Sequence, residues 1–155
     1  MRAPLLVVAV GNPSRGDDAI GPAVLERLEV ALAPEIARGD VELLGDFQLQ
    51  IEHALDLEGR ARVWIVDASV DAPAPFAVTR VAPERDRSFS SHALSPSALL
   101  DVAARTVESL PETWCVAIPG ARFELGEPLT DGARAGVDAA VEWLMADVRG
   151  RLVAK

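Results

Sequence analysis

Apolar positions follow two different rhythms along this chain. Leu5–Val10 is a continuous, valine-rich apolar run, the pattern of a strand buried on both faces. Residues 11–16 break it as a glycine-bounded loop. Ile20, Val24, Leu25, Leu28 and Leu32 then recur at helical spacing, with Pro22 tolerated in the first turn. Residues 41–44 predict a second strand, 49–57 a short helix ended near Gly59, and 63–66 a third buried strand stopping at Asp67. Residues 76–81 alternate, with proline only before them, and predict a fourth strand at a sheet edge. Ser95 and Pro96 open a helix reaching to about Leu110, because serine caps well and proline suits the first helical position. Residues 114–118 give a fifth strand, ended by Pro119-Gly120. Thr130 caps a last helix with Ala133, Val137, Val141, Leu144 and Val148 on its apolar stripe.

Strands alternating with helices predict a three-layer α/β/α sandwich around an approximately five-stranded, mostly parallel sheet. One link departs from that rule. Only about nine residues, several of them proline, join the third and fourth strands. A parallel crossover needs a dozen or more, so the fourth strand is expected to be an antiparallel edge. This topology has a chemical consequence. The loop after the first strand and Asp67 both lie at the carboxyl edge of the sheet. Residues 83–91, at roughly 3.3 Å each if extended, can climb back to that edge. The expectation is that Asp17, Asp18, Asp67 and His92 meet where open α/β sheets place their sites.

The 155 residues suit one domain, and with half of them apolar a sizeable core is available. The formal net charge of −9 argues against a nucleic-acid partner, which would need clustered Lys and Arg; the only lysine is Lys155. Cys115 is the only cysteine, so no intrachain disulfide forms, which fits a reducing cytoplasm. The early apolar run is too short for a signal or membrane segment, and neither export nor anchoring is expected.

The stretch Gly11-Asn12-Pro13-Ser14-Arg15-Gly16-Asp17-Asp18 is the richest in candidate chemistry. Two adjacent carboxylates before a helix also suit plain capping and the positive end of the helix dipole. The loop is neither a P-loop nor a Gly-x-Gly-x-x-Gly turn. Asp67 closes a strand of Trp64, Ile65 and Val66, where packing seldom needs an acid. His92 precedes a helix; His53 is its rival, with Glu52 and Asp56 close enough in sequence to pair with it. Cys115 falls inside a buried strand and reads as core. No Gly-x-Ser-x-Gly elbow is present, so acyl-enzyme chemistry has little support. Two carboxylates and an imidazole form a reasonable three-ligand set for a first-row divalent metal, with positions left open for water or substrate.

These residues resemble the hydrogenase maturation endopeptidases. The opening pattern of that family appears as Val8-Ala9-Val10-Gly11-Asn12, then Gly16-Asp17-Asp18-Ala19-Ile20-Gly21-Pro22. The acid at the end of the third strand is matched by Ile65-Val66-Asp67-Ala68, and the histidine before a helix by Ser91-His92-Ala93-Leu94-Ser95-Pro96. The tail Ile118-Pro119-Gly120, Phe123-Glu124-Leu125-Gly126 and Leu129-Thr130 is similar too, so the resemblance spans nearly the whole chain. Two departures stand out. Ala19 replaces a usual glycine, which would strain a backbone needing positive φ, and the common Asp-Gly-Gly-Thr segment is replaced by residues 45–53.

The resemblance implies an endopeptidase that removes a short C-terminal extension from the nickel-loaded precursor of a nickel–iron hydrogenase large subunit. Asp18, Asp67 and His92 would be both the nickel ligands and the catalytic residues, with the nickel supplied by the precursor and Asp17 given no assured role. A monomeric, cytoplasmic enzyme is expected. The alternatives are a non-catalytic chaperone that inspects the nickel site, or a small-molecule metallohydrolase on a similar fold.

Overall fold

A computed structural model describes residues 2–85 and 94–153. The sheet has five strands: β1 (Leu5–Val10), β2 (Val41–Asp46), β3 (Arg62–Ser69), β4 (Ala77–Arg80) and β5 (Glu112–Pro119), in the order β2-β1-β3-β5-β4. All neighbouring pairs are parallel except β4 on β5, which is antiparallel at the edge, as the short β3–β4 link requires. Every residue of β1 is buried, which its unbroken apolar run anticipates for a central strand covered on both faces.

Among the described residues five α-helices cover the sheet: α1 (Ile20–Ala31), α2 (Ala33–Ala37), α3 (His53–Asp56), α4 (Pro96–Thr106) and α5 (Asp131–Val153). Strand periodicity divides the core in two. Leu5, Val7, Ala9, Trp64 and Val66 face α1 and α5, where Val24, Leu28, Val137, Val141 and Leu144 meet them. Leu6, Val8, Val63 and Ile65 face the other way, onto Ala54 and Leu57 near α3 and Leu99 and Ala103 of α4. That arrangement is the expected three-layer sandwich.

Three element boundaries differ from expectation. The first helix breaks at Leu32, because Pro34 has no N–H to continue the ladder, and α2 restarts as a separate turn. The helix predicted over residues 49–57 shrinks to α3, since the segment closes three-residue turns, such as His53 N–H to Gln50 O and Ala54 N–H to Ile51 O (both 3.0 Å), in place of a continuous α-helical ladder. The fourth helix stops at Thr106, because Val107 is already extended (φ −111°, ψ 153°).

The strand order places the topological switch between β1 and β3. The chain leaves β1 toward β2 on one side and returns to β3 on the other, so the loops above these two strands part and open a crevice there.

Candidate active site

Asp17 and Asp18 occupy a turn of 3-10 helix (Gly16–Ala19) between β1 and α1, and the structure gives them opposite roles. Asp17 is fully buried. Its carboxylate accepts the N–H groups of Ala121 (2.7 Å), Arg122 (3.2 Å) and Thr130 (2.8 Å), and the Thr130 hydroxyl (2.8 Å). The Thr130 Oγ1 in turn accepts from Ala133 N at 3.2 Å, capping α5. Burial pushes the Asp17 carboxyl up, but these bonds outweigh it and leave the group below the ordinary aspartate value. Asp17 is therefore a bolt between the first loop and the tail after β5. Two backbone bonds reinforce it, Asp17 N–H to Arg122 O (2.6 Å) and Gly126 N–H to Ser14 O (2.8 Å).

Asp18 is half-buried and turns toward the crevice. Asn12 N–H donates to its Oδ2 at 2.7 Å, so the loop holds the carboxylate by one oxygen. Gly11 makes this loop possible. It has φ +147°, and a Cβ there would lie 2.0 Å from the Asp18 carbonyl oxygen. Ala19, by contrast, sits at φ −77° and ψ 0°, so the alanine in place of the family's glycine carries no strain.

Asp67 lies at the upper end of β3 on the α4 side, two residues after Ile65, and its Oδ1 accepts Ala68 N–H at 2.8 Å. Burial pushes this carboxyl up. The Ala68 bond pulls it partly back and the charge of Asp18 raises it again, leaving it at about 6. Two carboxylates that share a half-buried crevice and repel each other favour a proton or a cation between them. Their hard oxygens suit completing the coordination of a divalent ion already held by other ligands better than gripping a soft one alone.

Asp18 and Asp67 line one cleft of about 420 Å³. Phe47, Gln48 and Leu49 wall it on the β2 side, and Leu94, Ser95 and Pro96, at the start of α4, on the other. Glu84 N–H donates to Ser97 O at 3.0 Å, so the chain leaving β4 has already returned to the first turn of α4. His92 lies outside the described residues, two positions before Leu94. Among the described residues no group of three His, Cys, Asp or Glu side chains could hold a metal ion.

His53 is not part of this cleft. It is buried, its Nδ1 accepts Gln50 N–H at 2.8 Å, and its Nε2 lies 3.2 Å from Asp46 Oδ2. An acceptor Nδ1 puts the ring proton on Nε2, facing Asp46, so the pair clamps the loop that carries Phe47–Leu49. The expected partners Glu52 and Asp56 are not those used. Asp46, Phe47 and Leu49 fall within residues 45–53, marked in the sequence only as the segment that replaces Asp-Gly-Gly-Thr; nothing local assigns them to the site. Cys115 is half-buried in β5, and burial, with the charge of Asp67 added, pushes its thiol up to about 11. It is a poor nucleophile.

The molecule is thus an open α/β fold with a carboxylate-lined cleft at its switch point. Its resemblance, across nearly all of its length, is to hydrogenase maturation endopeptidases. The hydrogenase maturating endopeptidase HybD from E. coli superposes with a TM-score of 0.73 at 26% identity, over 97% of this chain and 94% of that one. Two proteins from Thermococcus kodakarensis share the fold at lower identity. The [NiFe] hydrogenase maturation protease HycI gives a TM-score of 0.71 at 18%, over 96% of this chain and 94% of its own. The [NiFe] hydrogenase maturation protease HybD gives 0.59 at 22%, over 96% and 99%. No protein-family model matches the sequence, and no curated protein sequence matches it. No helix among the described residues is long and apolar enough to cross a membrane.

Proposed function

We propose that this chain is a hydrolase that matures a nickel–iron hydrogenase, cutting a C-terminal extension from the nickel-loaded large-subunit precursor. The observation that carries the reading is the convergence of Asp18 and Asp67 on one cleft, on a fold shared with hydrogenase maturation endopeptidases. In this proposal the nickel arrives as part of the substrate. Asp18, Asp67 and His92 complete its coordination, which anchors the precursor with one peptide bond lying along the cleft. The wall of Phe47, Gln48 and Leu49 excludes water from one side of that bond. Water attacks the bond so held, and its proton passes to the leaving amine. Cys115 plays no covalent part. Fixing a bond at the site through its own metal supplies positioning, which contributes roughly 7–11 kcal/mol in well-oriented intramolecular reactions. Recognition then depends on whether nickel has been inserted.

The test is a time course by intact mass on nickel-loaded and metal-free precursor at equal concentration. Cleavage confined to the loaded form is the expected result. Equal rates for both forms would leave an ordinary sequence-reading peptidase, and binding without cleavage would leave a chaperone.

A further inference from the structure

A second hollow lies on the other side of Phe47, away from the two carboxylates. Its origin is visible in the pairing of β1 with β2. On the α1 face the register partners are Leu5 with Val41, then Val7 with Leu43, then Ala9 with Gly45. Side-chain volume falls away at the top of this row, where Pro22 and Leu25 of α1 cross it. The space left is about 210 Å³, and Pro13 and Phe47 are also among its walls. That is roughly seven times a water's share of liquid volume, and below the ~300 Å³ at which pockets begin to take drug-sized ligands. It has room for one side chain.

Gly45 keeps it open. Its backbone is not in the left-handed region, so its conformation does not demand glycine. A Cβ would meet only the flexible end of Leu25, Cδ2 at 2.7 Å, with Ala9 O next at 3.8 Å. Glycine weakens a strand; here it makes room for the Leu25 side chain and leaves the hollow beside it open to close approach of a ligand. Phe47 supplies the link to the chemistry. It is 65% exposed, and it walls both this hollow and the cleft of Asp18 and Asp67. A peptide laid across the cleft and over Phe47 would cover that ring and lower one residue into the hollow.

The geometry points to this hollow as a specificity subsite that takes one apolar side chain, of leucine or methionine size, from the precursor segment flanking the cleaved bond. This rests on the peptidase reading above. The subsite makes Gly45 and Leu25 its size-determining residues, with Gly45 setting its depth and Leu25 its side wall.

The experiment measures kcat/KM for wild type, Gly45→Leu and Leu25→Ala on the nickel-loaded precursor. It repeats them on precursors with each apolar residue near the cleavage site changed in turn to alanine. One such alanine should cost wild type roughly 10–100-fold. Gly45→Leu should lose a similar factor on the unaltered precursor and be indifferent to that same alanine, the non-additivity of a shared contact. Leu25→Ala should accept a larger residue at that position, which keeps the test alive if Gly45→Leu folds poorly. Additive losses, or indifference of wild type to every alanine, overturn the subsite.

A binding measurement separates its failure from failure of the peptidase reading. In NMR titrations of wild type, N-acetyl-leucine methylamide should shift the Gly45 amide and the Leu25 methyls saturably. N-acetyl-glycine methylamide should not. Absence of those shifts overturns the subsite whether or not any precursor is cleaved; their presence without cleavage sinks the peptidase reading alone.

Discussion

The neighbouring aspartates Asp17 and Asp18 should separate cleanly on substitution, one into stability and the other into activity. Asp17→Ala removes a buried carboxylate that accepts four hydrogen bonds, and it orphans three backbone N–H groups and the Thr130 hydroxyl. Bonds to a charged group contribute about 1.5–3 kcal/mol each, but a network lost through one partner does not sum; about 3–5 kcal/mol in total is the expected cost. For a chain of this length each kcal/mol moves Tm by about 2–4 °C, so the midpoint should fall on the order of 10 °C. Asp18→Ala loses one bond, from Asn12 N–H, at a half-exposed group. It should cost about 1 kcal/mol and a few degrees. Thermal unfolding by circular dichroism reads the first effect, and processing of loaded precursor well below both midpoints reads the second. Asp17→Ala should still process at low temperature and Asp18→Ala should not. A Tm for Asp17→Ala within 2 °C of wild type would refute the bolt, and normal processing by Asp18→Ala would refute its place in the site.

The raised carboxyl of Asp67 predicts a pH signature in the free protein. Its folded value of about 6 lies above the ordinary aspartate value of 3.8, so the folded state holds this proton more tightly. The stability this confers is complete below about pH 4 and is lost as pH rises through 6. Asp67→Asn should therefore gain on wild type across that window, by up to about 3 kcal/mol at pH 7.5 in urea unfolding, and a difference that stays flat from pH 4 to 7.5 would contradict the assignment. Cys115→Ser, serine-directed covalent inhibitors and thiol reagents at neutral pH should all leave processing rates within about twofold, because the half-buried thiol is pushed up to about 11 and the sequence has no Gly-x-Ser-x-Gly nucleophile. Stoichiometric inactivation by either reagent would reopen the nucleophilic reading.

Much of the scaffold was legible because it is written locally. The unbroken apolar runs of β1 and β3 announce strands covered on both faces, and the nine-residue link before residues 76–81 leaves room only for an antiparallel return. The parallel course of the first and third strands puts Asp18 and Asp67 at one edge of the sheet, while the antiparallel return served to place His92, which lies outside the described residues. What stayed hidden depends on contacts between distant segments. Nothing near Asp17 in sequence shows that its partners lie 104 to 113 residues away, in a tail whose backbone it holds. The same holds for His53, whose ring meets Asp46 across the loop it closes and not the acids one and three positions from it. The strain expected at Ala19 failed for a related reason. The turn that follows Gly16 stays right-handed, and within this loop positive φ falls only on Gly11 and Gly16, where close approach of the Asp18 and Arg122 carbonyls excludes any side chain. Four of the large apolar residues left exposed, Phe47, Ile51, Val70 and Leu125, lie in loops that follow the carboxyl ends of strands, and Phe47 lines the cleft itself. That distribution fits a protein substrate better than a small one.

The central claim is that Asp18, Asp67 and His92 act together on a bond presented by the precursor's nickel. Intact-mass spectrometry of a large-subunit precursor co-expressed with wild type, Asp67→Ala or His92→Ala tests it most directly. The account predicts loss of the C-terminal extension with wild type alone, and full-length, nickel-containing precursor with both variants, each of which should remain folded. Complete processing by Asp67→Ala or by His92→Ala would contradict it.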